Sequence, residues 1–405
     1  MLIQLAWRNL WRVPRRTVII LASIAMGVWA MVFMRALMAG VMDQMLENGI
    51  RTLTGHVQIH REGYRKDPVI DRSMTNPEEV FSVLEDLPEG IRWTRRVRVP
   101  GVASNARHSA GVVVVGIDPA RESEVSFVKS AVKEGSYLGE DDSYSVLIGA
   151  KLAEKFRTGL GKKVVLVSRD SAGEMGGGGF RIQGIFHADM EATEERFVFI
   201  LLDSARKMLH MGEGISEISL MAPSPEDAAS LSQWLRSRLP EGYEVVTWRE
   251  LLPLVTSSLR IWDGFIAIWY AIVFAAMAFG LVNTMLIAVF ERFREFGILR
   301  AIGMKPRWLV LQIVAEASWL LLSGIVLGDF LSWATIGWLE QTGIDLGAFA
   351  EGAEKMGFSR VIYPLFHWTH LAEADAVVLA LGLAVNLYPA LRAARVLPVE
   401  AMAHS

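Results

Sequence analysis

The sequence contains no cysteine in its 405 residues. Disulfide bonds and thiolate metal sites are therefore excluded, and a domain facing an oxidising compartment must depend on its own hydrophobic core. Hydrophobic residues make up 52% of the chain, and the mean hydropathy is +0.31. That value is high for a soluble protein and low for a protein that is all membrane. The composition therefore predicts a few membrane spans together with a sizeable soluble part.

Complete motifs for catalysis or nucleotide binding are also absent from the sequence. The nearest approach to the Walker A pattern G-x-x-x-x-G-K-[ST] is Phe156 to Lys163 (FRTGLGKK). It has Phe at the first glycine position and Lys163 at the position of the magnesium ligand. The remaining candidates lack the partners that catalysis or metal binding requires: His56 with His60, His367 with His370, Ser109 and Ser143. The sequence predicts a non-catalytic chain that binds no metal and no cofactor itself.

Four apolar runs are each long enough to cross a bilayer core of roughly 30 Å, which takes about 20 helical residues. Between the first two runs the pattern changes to short strands and helices. The predicted segments are an amphipathic in-plane helix (1–16), a first transmembrane helix and stalk (17–47), an extracytoplasmic α+β domain (48–256), a stalk and second transmembrane helix (257–290), a cytoplasmic coupling helix (291–307), a third transmembrane helix (308–339), an extracytoplasmic loop (340–370), a fourth transmembrane helix (371–392) and a cytoplasmic tail (393–405).

The N-terminal segment combines Trp and Arg residues with apolar ones, as interfacial helices do. Pro14 is expected to end this helix. A cleaved signal peptide is the alternative, but the apolar run that follows exceeds the usual 7–15 residues and lacks a small-residue cleavage site. Arg35 lies near the far end of the first span. We expect its side chain to reach outward to the interface, with a functional intramembrane charge as the alternative.

The basic residues near the spans predict the orientation of the chain. With four spans, all three basic groups fall on one side of the membrane, which the positive-inside rule makes cytoplasmic. The α+β domain and the 340–370 loop then face outward. The three groups are Arg8, Arg12, Arg15 and Arg16; Arg292, Arg294, Arg300, Lys305 and Arg307; and Arg392 and Arg395.

The predicted outer domain has short runs with the alternation of strands, separated by turn residues and helices, which favours an α+β fold. The run Gly176 to Gly179 is expected to be a flexible hairpin or loop tip. The predicted strands are 56–60, 111–117, 163–168, 180–186, 197–201, 215–221 and 243–246. The predicted helices are 77–87, 150–156, 204–209 and 225–239.

Small residues four positions apart recur inside the spans, and such pairs let helix backbones approach closely. They fit packing within one subunit at least as well as packing between two subunits. The pairs are Ser23 and Gly27, Ala276 and Gly280, and Gly324 and Gly328. The spans also contain the polar residues Asn283, Glu316 and Asn386. We expect each of these to form an interhelical hydrogen bond of about 0.6 kcal/mol, with a sliding contact between helices as the alternative.

The segment 291–307 is a polar island between two long apolar runs, with five basic and two acidic side chains. A charged helical element held at the membrane surface between two spans is well placed to bind a soluble partner and to be moved by it. We therefore interpret this segment as the coupling element of a transporter subunit.

Three stretches resemble the FtsX-like permeases of ABC transporters, which include the lipoprotein-releasing (LolC/LolE-type) and macrolide-exporter (MacB-type) subunits. They are AWRNL at 6–10 with PRRT at 14–17, ERFREFGILRAIG at 291–303, and PALRAAR at 389–395 with PVEA at 398–401. The order of in-plane helix, span, large outer domain and three further spans is similar to theirs. TGHVQIH at 54–60 looks more like the lipoprotein-releasing branch than the macrolide branch.

The resemblance implies a multi-pass protein of the bacterial inner membrane with a MacB-like domain on the periplasmic side. It also implies a cytoplasmic ABC ATPase dimer that uses ATP and Mg²⁺, a second permease subunit that is identical or paralogous, and lipoprotein or another amphiphile as cargo. A periplasmic carrier is a further possible partner, and no nucleic acid is expected. The residues implied to couple to the ATPase are Glu291, Arg292, Arg294, Glu295, Gly297, Arg300, Gly303, Lys305 and Arg307.

Two other functions remain open at the level of sequence. The first is a subunit of the same family that drives a periplasmic efflux partner or a cell-wall hydrolase. The second is a membrane-anchored sensor, although the cytoplasmic segments are too small to signal unaided. A neighbouring gene for an ATPase with Walker motifs would favour a transporter over a sensor. A neighbouring lipoprotein-carrier gene would favour lipoprotein release, and a hydrolase gene would favour cell-wall control.

Overall fold

The computed structural model describes residues 8–347, 352 and 361–394. Parts of three predicted segments lie outside this range: residues 1–7 of the in-plane helix, most of residues 348–360 in the loop, and residues 395–405 of the tail, with Arg395. The described chain divides into two compact units. One is a membrane unit (1–42, 258–345 and 361–405), and the other is an outer unit (43–257 and 346–360).

The helices, in chain order, are α1 (Pro14–Gly49), α2 (Glu78–Glu85), α3 (Pro119–Val125), α4 (Val128–Ala131), α5 (Ala150–Phe156), α6 (Glu191–Arg196), α7 (Leu202–Leu209), α8 (Ala228–Arg236), α9 (Trp248–Leu251), α10 (Pro253–Glu291), α11 (Phe293–Ala301), α12 (Pro306–Thr342) and α13 (Trp368–Ala394). The strands are β1 (Val57–Arg61), β2 (Arg92–Ser104), β3 (Ser109–Ile117), β4 (Val132–Gly135), β5 (Ser145–Gly149), β6 (Lys163–Arg169), β7 (Met175–Phe186), β8 (Phe197–Leu201), β9 (Glu217–Met221), β10 (Tyr243–Thr247), β11 (Ile344–Asp345) and β12 (Val361–Ile362).

The outer unit is built on one mixed sheet with the strand order β10-β1-β9-β2-β3-β8-β5-β7-β4, and β6 pairs with β2 and β7. The pairs β3–β8 and β5–β7 are parallel, and the other pairs are antiparallel. The core at the centre of the sheet includes the rings of Phe127, Phe186 and Phe199. These rings meet edge to face with centroids 5.4–6.4 Å apart, a geometry that aromatic pairs prefer.

The glycine run Gly176–Gly179 lies in a hairpin, as one predicted alternative had it, but inside strand β7, paired with β6, and not at a loop tip. The reversal between the two strands comes earlier, where Asp170 Oδ1 accepts hydrogen bonds from the backbone N–H groups of Ala172 and Glu174. Close approach of the backbone explains a glycine in the strand. A Cβ on Gly176 would lie 2.3 Å from the carbonyl oxygen of Met208.

Among the described residues of the membrane unit, four helices are long and apolar enough to cross a bilayer: α1, α10, α12 and α13. α12 packs closely on α1, because a Cβ on Gly324 would lie 2.5 Å from Ile24 Cγ2 and a Cβ on Gly328 would lie 2.7 Å from Val28 Cβ. α10 approaches α1 at Gly27, whose Cβ would lie 3.1 Å from Met277 Sδ.

The other predicted packing pair, Ala276 and Gly280, packs less closely against neighbouring helices of this chain. Ala276 is exposed on α10, and a Cβ on Gly280 would reach only Ser23 Oγ, at 3.8 Å. Two of the three predicted hydrogen bonds between helices, those of Asn283 and Asn386, also differ from the structure. Asn283 is exposed, and Asn386 Nδ2 donates to the carbonyl of Gly382 in its own helix at 2.7 Å.

Candidate coupling site

The predicted coupling segment 291–307 contains a shorter helix than expected, α11, with Arg292 as the residue before it. Gly303 has φ +100°. Its N–H donates to the carbonyl of Arg300, and the N–H of Met304 donates to that of Leu299. These two bonds form a Schellman motif, which ends a helix at a glycine in the left-handed region. Lys305 then precedes Pro306, the first residue of α12, where proline is favoured.

One side of α11 packs into the membrane unit. Phe296 is 1% exposed, and Gly297 is also buried. Arg300 Nη1 donates to the carbonyl of Ala394 at the end of α13, at 3.1 Å. Arg300 and Gly297 are therefore positioned to hold α11 against its own chain.

The acidic residues of the segment are paired with arginines that precede the first span. Arg12 Nη1 donates to Glu295 Oε1 at 2.8 Å, and Arg16 Nη1 donates to Glu291 Oε2 at 2.7 Å. Burial tends to raise the pKa of Glu295, but the hydrogen bonds from Arg12 and Arg292 outweigh it and hold the pKa below its ordinary value. The N-terminal segment thus contributes directly to the position of α11.

Glu316 of α12 bonds to side chains outside its own helix, as predicted, and is the centre of a buried polar network whose other members were not predicted. Arg292 Nη1 lies 3.0 Å from both carboxylate oxygens of Glu316. Asn9 Nδ2 donates to the same carboxylate at 2.8 Å, and Gln312 Nε2 lies 3.4 Å from it. The sequence signal was Glu316 itself, a charged residue within a span, with Gln312 four residues earlier on the same helix face. The network joins the N-terminal segment, the start of α11 and the third span.

The opposite side of α11 is exposed. Arg294, Ile298 and Ile302 follow one another at intervals of four residues and so share a helix face. Ile298 is 45% exposed and Ile302 is 80% exposed. Gly303, Lys305 and Arg307 follow and are also exposed. We call Arg294, Ile298, Ile302, Lys305 and Arg307 the docking strip. It combines apolar side chains with positive charge.

A second charged cluster lies near the other ends of the spans. Arg35 Nη1 lies 3.3 Å from Asp263 Oδ1, and Arg35 Nε lies 3.9 Å from Glu373 Oε2. Arg35 therefore bridges α1, α10 and α13, which goes beyond the simple outward extension that was predicted. The carboxyl groups of Asp329 on α12 and Asp375 on α13 also interact with each other, and neither residue was predicted to be a polar contact of the spans.

The histidines that the sequence singled out have structural partners. His56 Nδ1 accepts a hydrogen bond from the N–H of Ala222 at 3.0 Å, and His60 Nε2 lies 2.9 Å from Gln58 Oε1. The ring centroids of His367 and His370 are 4.9 Å apart. Across residues 8–347, 352 and 361–394, no group of three or more His, Asp or Glu side chains could hold a metal ion.

Four apolar helices, with a mixed α+β domain inserted after the first of them, define a multi-pass membrane protein with a large outer domain. Residues 17–238 match the family model for the MacB-like periplasmic core domain, and residues 266–398 match that for the FtsX-like permease C-terminal region. The first match alone covers more than half of the chain. The chain belongs to the FtsX-like permeases of ABC transporters, close to the lipoprotein-releasing branch, as the resemblance predicted. The predicted fold class is likewise confirmed.

Curated relatives match over nearly the whole chain. The lipoprotein-releasing system transmembrane protein LolC of Xylella fastidiosa (strain Temecula1) is 23% identical over 397 residues, which cover 94% of this chain and 92% of LolC. LolE of Haemophilus influenzae is 20% identical, with 94% of this chain and 92% of LolE covered. Among solved structures, the periplasmic region of MacB from Actinobacillus actinomycetemcomitans is 18% identical with a TM-score of 0.36, over 52% of this chain and 97% of that chain.

Proposed function

We propose that this permease transmits the ATP-driven movement of a separate ATPase dimer to its outer unit and thereby extracts lipoprotein or a similar amphiphile from the membrane. The observation that carries the proposal is the division of α11 into two sides. Arg292, Glu295 and Arg300 are bound within the chain, whereas the docking strip is exposed. An element fixed on one side and exposed on the other can receive force and pass it to the spans.

The docking strip would lie in a groove on the ATPase. Ile298 and Ile302 would supply buried apolar contact, and Arg294, Lys305 and Arg307 would set orientation and partner choice more than affinity. ATP and Mg²⁺ would be bound by the ATPase, and the permease would bind no cofactor itself. A second permease subunit, identical or paralogous, would complete the assembly in the bacterial inner membrane.

Two helices are suited to pass the movement outward, because the boundary between the two units falls inside both α1 and α10. Their outer ends meet within the outer unit, where a Cβ on Gly49 would lie 2.7 Å from Leu252 Cδ1. The predicted stalks fall at these places: residues 41–49 of the first (about 41–51) lie in α1, and residues 257–260 of the second lie in α10. Movement of α11 would then change the conformation of the outer unit. The cargo would not pass through the cytoplasm.

Lipoprotein is the favoured cargo because full-length similarity reaches two subunits named for lipoprotein release. A periplasmic carrier would accept the released lipoprotein. The runner-up function is to drive an efflux partner or a cell-wall hydrolase, and the match to the MacB-like model favours it over a sensor. Reconstitution with the ATPase and a fluorescent lipoprotein separates the two, because only the first function releases the lipoprotein in the presence of ATP.

The coupling assignment is tested at the docking strip and not at Glu295 or Arg300, since reversing those charges would break contacts within the chain. The double variant Arg294→Glu, Ile298→Asp should insert normally, lose co-purification with the ATPase and lose ATP-dependent release. The matched control is Arg107→Glu, an exposed arginine of the outer unit, which should retain both. Normal co-purification and transport by the double variant would show that the coupling assignment is wrong.

A further inference from the structure

The two ends of α11 are connected to the neighbouring spans in different ways. At its start, only Arg292 separates α11 from Glu291, the last residue of α10. At its end, residues 302–305 form a turn before Pro306 of α12, and Gly303 in this turn has the positive φ of +100° that glycine adopts without strain. Movement of α11 can therefore pass to α10 directly along the backbone. The path to α12 runs through the turn, and α1 is separated from α11 in the sequence by the whole outer domain.

A side-chain contact connects α11 and α12 across this turn. Arg292 Nη1 lies 3.0 Å from each carboxylate oxygen of Glu316. Glu316 comes ten residues after Pro306, about 15 Å along the helix axis. Asn9 Nδ2 donates to the same carboxylate at 2.8 Å. One carboxylate thus receives hydrogen bonds from the N-terminal segment and from the start of α11 while it belongs to the third span.

Two further contacts attach the N-terminal region to α11 and to the end of α10. Arg12 Nη1 lies 2.8 Å from Glu295 Oε1, and Arg16 Nη1 lies 2.7 Å from Glu291 Oε2. The side chains of Arg12 and Glu295 are 64% and 44% exposed, and exposed ion pairs contribute little individually. The buried contact at Glu316 is therefore the one best suited to fix the geometry.

The connection extends along α1. The N-terminal segment leads directly into α1, which begins at Pro14. Further along, α12 packs closely on α1, where a Cβ on Gly324 would lie 2.5 Å from Ile24 Cγ2. A displacement that reaches the Glu316 carboxylate would therefore move α1 and α12 together, and α1 is one of the two helices proposed to carry movement outward.

Burial removes Glu316 from the surface that a soluble partner could touch. Glu316 is 7% exposed, and the side chain of Arg292 is 17% exposed. Charge-assisted hydrogen bonds of this kind fix orientation as well as adding energy, whereas well-packed apolar side chains in place of a buried ion pair often give equal stability. Stability alone would therefore not require a charge at this position.

We propose that Glu316 is a positioning residue that makes α1 and α12 move with α11 when the ATPase moves the docking strip. The inference rests on the coupling function proposed above and adds a route from α11 to the first and third spans. Without the carboxylate, the docking strip would still bind the ATPase, but the movement would pass along the backbone to α10 and only weakly to α1 and α12.

The first test follows α12 directly and needs no cargo. Trp338 lies near the outer end of α12 and is 66% exposed, about 33 Å beyond Glu316 along the helix. Because the sequence has no cysteine, Trp338→Cys can carry a single spin label, attached before the full-length permease is assembled with its ATPase in nanodiscs. ATP should change the spectrum of this label. Glu316→Leu should abolish the change while co-purification with the ATPase and ATP hydrolysis are retained.

The second test measures lipoprotein release per ATP hydrolysed. Glu316→Leu should lower this ratio by about tenfold, because hydrolysis continues without the movement of α1 and α12. A residue that only stabilised the fold would lower assembly, hydrolysis and release together. The matched control is Glu340→Leu, which removes an exposed carboxylate near the other end of α12 and should leave the label response and the ratio unchanged.

Three results would overturn the proposal: no response of the label to ATP in the parent protein, an unchanged response in Glu316→Leu, or loss of co-purification in Glu316→Leu, which would make Glu316 part of the docking contact. If Glu316→Leu does not insert, Asn9→Ala decides, since it removes one donor to the same carboxylate. It should weaken the label response and lower release per ATP by about fivefold, and unchanged values would contradict the role of Glu316. A label that responds to ATP in a wild-type assembly that releases no lipoprotein would count against the proposed cargo and not against Glu316.

Discussion

Arg96 shows how single charged residues determine the outer unit. Its side chain is fully buried, with Nη2 2.8 Å from Glu122 Oε1, Nε 2.9 Å from Glu122 Oε2 and Nη1 3.2 Å from Glu217 Oε1. Nη1 also donates to the carbonyl of Leu53, which follows the end of α1. Burial tends to raise the pKa of Glu217, but Arg98 and Arg96 outweigh it and hold the pKa below the ordinary range. One guanidinium therefore joins the sheet, α3 and the end of the first long helix.

Replacement of Arg96 tests this role. Arg96→Met should lower the free energy of unfolding of the outer unit by about 3–5 kcal/mol, because two buried carboxylates would lose their partner. Denaturant unfolding followed by tryptophan fluorescence measures the change. Arg107→Met, at an exposed arginine of the same unit, should change stability by no more than about 0.5 kcal/mol. Similar midpoints for the two variants would mean that the buried cluster does not stabilise the unit.

At the scale of elements, helices and strands were predicted most accurately where a single requirement, such as burial of an apolar face, sets the residue pattern. The four long helices follow from apolar runs, and strands such as β3 and β8 follow from alternation or continuous apolar residues. Strand β2 was missed because its charged residues, Arg95, Arg96 and Arg98, are typical of an exposed segment. The sheet pairs Arg96 with Glu217 on β9, and no local pattern reveals a partner 121 residues away. Strand β2 was therefore not predicted, because the residues that pair with its buried charges are distant in the sequence.

The contact between α12 and α1 gives a prediction at the same scale. Gly324→Ala should destabilise the membrane unit by about 1–3 kcal/mol, because the new Cβ would lie 2.5 Å from Ile24 Cγ2 and force the helices apart. Gly337→Ala in the same helix is the matched control, since a Cβ there meets nothing within 4 Å. Alanine has a higher helix propensity than glycine, so this control variant should be neutral or stabilising. Thermal unfolding in detergent measures both, and equal melting temperatures would contradict the close packing.

At the scale of the whole molecule, the location of the candidate site was predictable but its internal partners were not. The polar island between two apolar runs identified 291–307 from the sequence alone. The contacts of Arg12 with Glu295 and of Asn9 with Glu316 join residues 283 and 307 positions apart, which only the fold brings together. These contacts separate the residues that hold α11 in place from the docking strip, and a list of charges in the segment could not make that division.

The orientation of the chain is predicted from its basic residues, and the prediction can be tested directly because the sequence has no cysteine. Each introduced cysteine is then the only thiol in the protein. Ile302→Cys in the docking strip should react with a membrane-impermeant maleimide only after the inner membrane is opened, because the positive-inside rule places α11 in the cytoplasm. Arg107→Cys in the outer unit should react as soon as the outer membrane is made permeable. Both positions are exposed, so burial does not account for a difference. Labelling of Ile302→Cys with the inner membrane sealed would place α11 on the outer side, where no cytoplasmic ATPase could reach it, and the proposed coupling would fail.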